Sequence, residues 1–152
     1  MLDITDKSIL RLLQYNSKQT IKELANKLNL TPTPIFERIK RLEKENYITS
    51  YRAVVDRKRV GLSLLVFCNI SLNQHEASFI SKFEEDIQQF SEVIECYHIG
   101  GMFDYLLKVV VQDMDAYQHF VAKELASVDN IRQVQSAFVM TEVKSTVSLP
   151  IL

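Results

Sequence analysis

Apolar and polar positions alternate with a helical period over the first 45 residues of the chain. The pattern predicts three short helices, the first of which begins after Asp3 and ends near Tyr15. The second helix begins at Thr20, which has the spacing of a capping box with Glu23, where each side chain accepts from the other residue's backbone amide. The inward-facing residues are Ile9, Leu10, Leu12 and Leu13 in the first helix and Ile21, Leu24, Ala25 and Leu28 in the second.

The third helix is predicted to begin in the stretch Thr31-Pro-Thr-Pro34, with Thr31 as its N-cap. Prolines at the first and third helical positions remove no hydrogen bond, because the first amides of a helix have no acceptor within it. Its inward-facing residues are Ile35, Ile39 and Leu42, with Phe36 close to that stripe. Three short helices with a short turn before the last are typical of a helix-turn-helix, whose final helix enters the major groove of DNA.

From Gly61 onward the apolar pattern switches between the periods of strands and helices. It predicts strands at residues 64–72, 93–99, 105–111 and 134–144, with helices at 79–90 and 117–128. The order βαββαβ is a known compact arrangement, in which two helices cover one face of an antiparallel sheet.

Residues 46–60 lie between these two patterns and are rich in β-branched and aromatic side chains, followed by the basic residues Arg57, Lys58 and Arg59. We interpret them as a strand and a linker. The chain is therefore predicted to be α+β, with a winged helix-turn-helix domain at 1–50, a linker strand at 51–60 and a ferredoxin-like βαββαβ domain at 61–152.

The overall composition, 47% hydrophobic and 24% charged, is that of a globular protein and excludes a disordered or fibrous chain. No apolar run approaches the roughly 18 residues that a membrane span needs, and the first residues are acidic, so we expect a cytoplasmic protein. Cys68 and Cys96 have no second Cys or His at metal-ligand spacing, which favours buried free thiols over a disulfide or a zinc site.

The charge is divided unevenly between the two halves of the chain. Residues 1–60 hold 13 basic and 7 acidic side chains, whereas residues 61–152 hold 5 and 12. This division is what a polyanion-binding module joined to a non-binding one would show. The polar face of the third helix agrees with it and favours DNA binding over a merely solvated basic surface. The candidate DNA-binding residues are Thr31, Thr33, Glu37, Arg38, Lys40, Arg41 and Lys44.

Motifs in both halves resemble the leucine-responsive regulator and AsnC family, also called feast/famine regulators. In the N-terminal half these are Leu2-Asp3-x-x-Asp6-x-x-Ile9-Leu10 and the stretch from Leu30 through Arg38-Ile-Lys-Arg-Leu-Glu43 to Tyr47-Ile48. In the C-terminal half they are Gly101-Met-Phe-Asp104-Tyr105, Asp113-Met114-Asp-Ala-Tyr117 and the ending Val143-Lys144 to Ser148-Leu-Pro150. One departure is Asn46, where the family usually has Gly; asparagine tolerates the left-handed backbone of a helix end.

The resemblance implies a sequence-specific transcription regulator that binds operator DNA and responds to a free amino acid. It also implies that the linker strand pairs with a second chain, that the βαββαβ domains dimerise, and that dimers assemble into tetramers or octamers. No cofactor is expected beyond the amino-acid effector. Effector-binding residues at matching positions are Tyr97, Ile99, Gly101, Asp104, Met114, Ala137, Phe138 and Val139.

The chemistry of a zwitterionic ligand fits some of these residues. Asp104 can accept from the ammonium, and the turn at Gly100-Gly101 exposes backbone amides to a carboxylate. Met114 and Phe138 would form an apolar wall, which favours leucine or methionine as effector. The alternatives are that Asp104 is an ordinary turn residue and that the two apolar residues belong to the core.

A different class of function is an enzyme, because some proteins that resemble this family act as sirohaem decarboxylases. The chain has three histidines, of which His98, on the strand before the Gly101 loop, is the candidate haem ligand or acid. A lone histidine on a strand is more often structural, and a basic third helix would be superfluous in such an enzyme. A third alternative is a winged-helix protein-interaction module, whose binding would be insensitive to DNA. No nucleophilic triad, paired-carboxylate or phosphate-loop pattern is present.

Overall fold

The computed structural model describes all 152 residues and divides them into two compact units. We call Met1–Val54 with Val143–Leu152 the N-terminal unit, and Val55–Glu142 the sheet unit. The chain thus passes from one unit to the other twice, and its last ten residues belong to the N-terminal unit. The sequence pattern had placed these residues with the C-terminal domain. None of the helices combines the length and the apolar character that a membrane span requires.

The N-terminal unit contains the three predicted helices, α1 (Ile4–Tyr15), α2 (Ile21–Leu28) and α3 (Pro32–Lys44). The predicted capping box of α2 is confirmed, since the Thr20 amide donates to Glu23 Oε2 at 2.7 Å and the Glu23 amide donates to Thr20 Oγ1 at 3.2 Å. Asp3 and Asp6 cap α1 in the same reciprocal way. The apolar faces of the three helices bury Ile9, Leu10, Leu24, Ala25, Ile35, Ile39 and Leu42 in one core.

The two ends of α3 follow from its local sequence. Thr31 has the extended backbone of an N-cap but its side chain makes no capping hydrogen bond. The amide that an N-cap side chain usually accepts from is missing here, because the third helical residue is Pro34. After the helix, Asn46 has a φ of +59° and the Tyr47 amide donates to the Leu42 carbonyl at 2.9 Å. Asparagine therefore takes the left-handed position that was expected of it.

The C-terminal segment 148–152 lies along α1. Gln14 and Leu149 exchange two hydrogen bonds, from the Leu149 amide to Gln14 Oε1 at 2.6 Å and from Gln14 Nε2 to the Leu149 carbonyl at 3.3 Å. Arg11 Nε donates to the Ile151 carbonyl at 2.9 Å, and the Ile151 side chain packs against the helical core. We call this segment the C-terminal strap.

The sheet unit has the predicted order βαββαβ, comprising β1 (Leu64–Leu72), α4 (Ala77–Ile87), β2 (Val93–His98), β3 (Tyr105–Val111), α5 (Met114–His119) and β4 (Ile131–Phe138). All strand pairs are antiparallel, in the spatial order β2-β3-β1-β4. Helix α5 continues into a π-helical turn at Phe120–Glu124 and a 3-10 turn at Leu125–Ser127. The helices cover one sheet face, whose buried residues include Val66, Cys68, Ile70, Leu72, Leu107 and Val109.

Two predicted strands differ from the structure. The last strand was expected at 134–144 but occupies Ile131–Phe138, because β1 offers no partner beyond its first residues; the Val139 amide makes the last such bond, to Leu65. The predicted linker strand at 51–60 is absent from the single chain, where these residues form no ladder and Val54 and Val55 are exposed. A strand needs a neighbour to satisfy its amides and carbonyls, and here none is provided.

Candidate DNA-binding and effector-binding sites

Helix α3 presents a mainly polar face to solvent. Thr31, Thr33, Glu37, Lys40, Arg41 and Lys44 are all exposed, whereas Ile35, Ile39 and Leu42 on the opposite face are buried. The helix therefore places six of the seven candidate DNA-binding residues on one accessible side, and Arg38 lies half-buried at the flank. In a helix-turn-helix this is the face that meets the major groove.

Arg38 and Arg41 are held by acidic residues of α1 and its cap. Arg38 Nη1 contacts Asp3 Oδ2 at 2.6 Å and Asp6 Oδ1 at 2.7 Å, and Arg41 Nη2 contacts the second Asp6 oxygen at 2.5 Å. Asp6 is fully buried. The side chain of Arg38 is 30% exposed and that of Arg41 is 45% exposed. The two guanidinium groups thus share one buried carboxylate and keep part of their surface toward solvent.

The charge state of Asp6 follows from these contacts. Burial raises the pKa of its carboxyl, but hydrogen bonds from the Asp3 amide, Arg38 and Arg41 outweigh burial, so the pKa lies below its ordinary value. The pKa of Asp3 is also lowered, chiefly by the hydrogen bond from the Asp6 amide and then by Arg38. The same contacts raise the pKa of Arg38. All three groups are therefore charged at neutral pH.

The structural role of Asp6 was missed by the sequence analysis, which names it only as part of the N-terminal motif. The signal was its position. Asp6 lies three and four residues before Ile9 and Leu10, on the apolar stripe that faces the other helices. A carboxylate there must be paired, and the arginines of α3 are its partners.

The predicted effector-binding residues fall into two groups at opposite ends of the sheet. Tyr105, at the start of β3, pairs with Ile70 near the end of β1. Phe138, at the end of β4, pairs with Val66 near the start of β1. Four residues of strand separate the two positions, or roughly 13 Å. The first group contains Tyr97, Ile99, Gly101 and Asp104, and the second contains Met114, Ala137, Phe138 and Val139. One chain does not bring them into a single pocket.

Asp104 fastens the β2–β3 loop to the end of β1. Its Oδ2 accepts from the Leu72 amide at 2.7 Å, its Oδ1 lies 2.9 Å from His75 Nε2, and its own amide donates to the Ile70 carbonyl. The Leu72 hydrogen bond lowers the pKa of Asp104, and the contact with His75 adds to this against the opposing effect of burial. Gly101 has a φ of +145°, a backbone conformation that side chains rarely adopt. The loop thus holds a charged carboxylate close to a bare backbone turn.

The two apolar residues of the proposed wall are not plain core. Met114 begins α5 and is exposed, and Phe138 is also exposed, with its ring edge on Tyr117 at a centroid distance of 5.3 Å. In the other group, Tyr97 is exposed on β2 and its hydroxyl donates to Glu95 at 2.7 Å. Each group therefore offers surface to a ligand or to another chain.

A separate groove of about 430 Å³ lies between α4 and the edge strand β2. His98 stacks on Tyr105 there, with centroids 4.7 Å apart, and the Tyr105 hydroxyl donates to Glu84 at 2.7 Å. Cys96 lines the same groove and is exposed, so the expectation that both cysteines are buried was wrong for Cys96. The reason is that β2 is an edge strand, pairing only with β3. No group of three potential ligands is arranged to hold a metal ion.

Comparison with known proteins identifies both units. A family model described as the Lrp/AsnC ligand-binding domain matches residues 65–149, and a winged helix-turn-helix DNA-binding model matches residues 2–49. The chain belongs to the Lrp/AsnC family. Its fold is thus an N-terminal winged helix-turn-helix with a ferredoxin-like C-terminal domain, as predicted.

Individual members of the Lrp/AsnC family match along nearly their whole length. The chain is 37% identical to the transcriptional regulator AzlB of Bacillus subtilis over 99% of this chain and 96% of that protein. It is 36% identical to the leucine-responsive regulatory protein of Escherichia coli, over 95% of this chain and 88% of that protein. A transcriptional regulator of Neisseria meningitidis, solved as a complex with L-methionine, superposes with a TM-score of 0.95 at 35% identity, covering 99% and 97%.

These findings confirm the predicted function. The chain is a DNA-binding transcription regulator with an amino-acid-binding domain, and it is not an enzyme. The sirohaem decarboxylase alternative finds no support among the relatives, which are named as regulators. Which residues contact DNA and which contact the effector stay predictions.

Proposed function

We propose that this Lrp/AsnC regulator binds methionine or leucine in a site formed between copies of the chain, and that the bound amino acid changes its assembly or its affinity for operator DNA. The relative from Neisseria meningitidis, solved with L-methionine, supports an amino acid with an apolar side chain. Met114 and Phe138 offer exposed apolar surface suited to such a side chain.

The observation that carries the proposal is the separation of the two groups of effector-binding residues. The loop with Gly101 and Asp104 supplies charge and free amides, and the end of β4 with Met114 supplies apolar surface, at opposite ends of one sheet. A zwitterion with an apolar side chain needs both kinds of surface. A second copy of the chain can bring the apolar group of one sheet to the charged loop of another.

Each part of the ligand then has a partner of suitable chemistry. The Asp104 carboxylate, whose pKa is lowered by the Leu72 amide, stays ionised and attracts the ammonium. The amides of Gly100 and Gly101 face the ligand carboxylate, and the apolar side chain contacts Met114 and Phe138.

The assembly that this site requires has two further contact surfaces. The sheet face opposite the helices presents half-exposed Phe67 and Leu106 with exposed Ala137, which suits face-to-face packing of two sheets. The 51–60 segment, unpaired in one chain, pairs with the same segment of a second copy and so gains the predicted linker strand. We propose a homodimer that assembles into tetramers or octamers, working in the cytoplasm on operator DNA.

DNA recognition is assigned to the exposed face of α3. We propose that Glu37, Lys40 and Arg41 face base edges and phosphates in the major groove. The full set of proposed DNA-binding residues is Thr31, Thr33, Glu37, Arg38, Lys40, Arg41 and Lys44. Arg38 also holds α3 against α1 through Asp6.

Calorimetric titration of the purified protein with single amino acids tests the effector. Methionine or leucine should bind, and aspartate and lysine should not, because neither charged side chain suits the apolar wall. Asp104→Asn keeps an acceptor for the Leu72 amide but loses the charge, and should weaken methionine binding about tenfold or more. His75→Ala, which removes a neighbour of Asp104 without touching its charge, is the matched control. Binding of aspartate or lysine in preference to methionine and leucine would overturn the assignment.

A further inference from the structure

Phe36 is a large apolar side chain on the DNA-facing side of α3. It remains 45% exposed and is absent from the helical core, although its neighbour Ile35 is fully buried. The sequence pattern had placed Phe36 close to the inward stripe, and the structure turns it outward. The phenyl ring therefore leaves almost half of its surface in contact with solvent.

The position of Phe36 is that of a base-reading residue. It is the fifth residue of α3, within the N-terminal half of the recognition helix, whose residues contact base edges in helix-turn-helix proteins. Thr33 and Lys40, three residues before and four after, lie beside it on the same helix face. Lys40 Nζ is 5.8 Å from the centre of the ring. The ring therefore lies within the polar, cationic face that meets DNA.

The chemistry of the ring selects its target. A phenyl group neither donates nor accepts a conventional hydrogen bond, so it gains free energy only against another apolar group. Among the base edges of the major groove, the C5-methyl group of thymine is the apolar one. Lys40, held near the ring, provides positive charge for the adjacent phosphates.

Resting on the DNA recognition proposed for α3, we propose that Phe36 is a specificity-determining residue, which contacts a thymine methyl group in each operator half-site. This selects a T·A pair at one position through van der Waals contact, beside the hydrogen bonds made by the polar residues of α3. The contact with the methyl group makes the affinity depend on the DNA sequence. Lys40 and Lys44 add affinity that does not depend on the sequence.

The test is a double-mutant cycle, in which the methyl group is removed from the DNA and the ring from the protein, each alone and both together. The probe is the duplex from the region upstream of the protein's own coding sequence, trimmed to the footprint of the wild-type protein. Each thymidine is replaced in turn by deoxyuridine, which lacks the methyl group and keeps the hydrogen-bonding edges. We expect one such replacement per half-site to weaken wild-type binding about three- to fivefold, the effect of one methyl group removed from an apolar contact.

The protein variants supply the other side of the cycle. Phe36→Ala should bind the thymidine duplex about tenfold more weakly and should no longer distinguish it from the deoxyuridine duplex. Phe36→Leu, which keeps an apolar side chain, should regain part of the methyl dependence. Phe79→Ala removes another exposed phenylalanine, on α4 of the sheet unit. It should change neither the affinity for the thymidine duplex nor the loss of affinity caused by deoxyuridine.

Two results would overturn the proposal. One is a Phe36→Ala variant that keeps the full wild-type sensitivity to deoxyuridine, because the ring then does not contact the methyl group. The other is an equal loss of affinity for the footprint duplex and for a scrambled duplex, which would assign Phe36 to contacts between protein copies. A melting temperature of Phe36→Ala that matches that of the wild-type protein, as expected for an exposed residue, excludes a folding defect.

Discussion

Asp6 lies buried in the N-terminal unit, with its carboxylate between the guanidinium groups of Arg38 and Arg41. The three residues connect α1 to the recognition helix through charges that remain ionised at neutral pH. This network orients α3, because displacing the helix would leave a buried carboxylate without partners, which costs several kcal/mol. The arginines therefore stabilise the fold and also belong to the proposed DNA-binding surface.

Acid should weaken the N-terminal unit through Asp6. Its folded pKa lies below that of an unfolded aspartate, about 3.9, so the unfolded chain takes up the proton first as the pH falls. The stabilisation is complete above about pH 5 and declines as the pH falls through the unfolded and then the folded pKa. Urea unfolding from pH 7 to pH 3 should show a steeper loss for wild type than for Asp6→Asn, which should be less stable at pH 7 by about 1–3 kcal/mol.

Glu85 offers the matched control for this comparison, since it is an acidic residue on α4 of the sheet unit that forms no ion pair. Glu85→Gln should follow the wild-type curve. A pH profile of Asp6→Asn that also coincides with wild type would contradict the role given to the Asp6 carboxylate.

The backbone conformation at helix ends and turns could be predicted from the sequence. Side-chain pairings between residues far apart in the chain could not. The Thr20 and Glu23 capping box and the left-handed Asn46 follow from local sequence. The Asp6 network joins residues more than thirty positions apart, and no local rule pairs them. The exposure of Phe36 depends on where the core stripe is centred, which three helices decide together.

At the scale of elements, the helices and the order βαββαβ along the chain follow from the hydrophobic period, because each element buries one face. Element ends depend on neighbours instead. β4 stops where β1 no longer offers a partner, and residues 51–60 form no strand without a second chain. The hydrophobic period could not predict the C-terminal strap, because the contacts of the strap are mainly hydrogen bonds between its backbone and the side chains of Arg11 and Gln14.

Removing the C-terminal strap should loosen α1. A chain ending at Val147 loses the Gln14 and Arg11 hydrogen bonds and the packing of Ile151, together worth about 1–3 kcal/mol. Hydrogen exchange followed by mass spectrometry should show faster exchange across α1, with β1 and β3 of the sheet unit unchanged. Val143→Ala, at an exposed position that precedes the strap, is the control and should leave exchange unaltered. Unaltered protection of α1 in the truncated chain would mean that the strap contributes nothing to this helix.

The whole molecule separates two tasks between two units of opposite charge. Residues 1–60 carry the excess of basic side chains and include the recognition helix, whereas the remainder is acidic and carries the amino-acid-binding domain. Motif order and spacing sufficed to predict this organisation from sequence. The sequence could not show that the predicted effector-binding residues lie at opposite ends of the sheet, because their positions depend on strand pairing. The second copy that we propose to unite them lies outside a single chain.

Fluorescence anisotropy of the intact protein on DNA tests the central claim most directly. The protein is titrated into its own upstream duplex and a scrambled duplex, at two salt concentrations, with methionine, with leucine and without either amino acid. We expect tighter binding to the upstream duplex, weaker binding at the higher salt because cations on α3 displace counterions from phosphates, and an affinity that methionine changes. Equal affinity for both duplexes, or an affinity that neither methionine nor leucine alters, would contradict an amino-acid-responsive regulator.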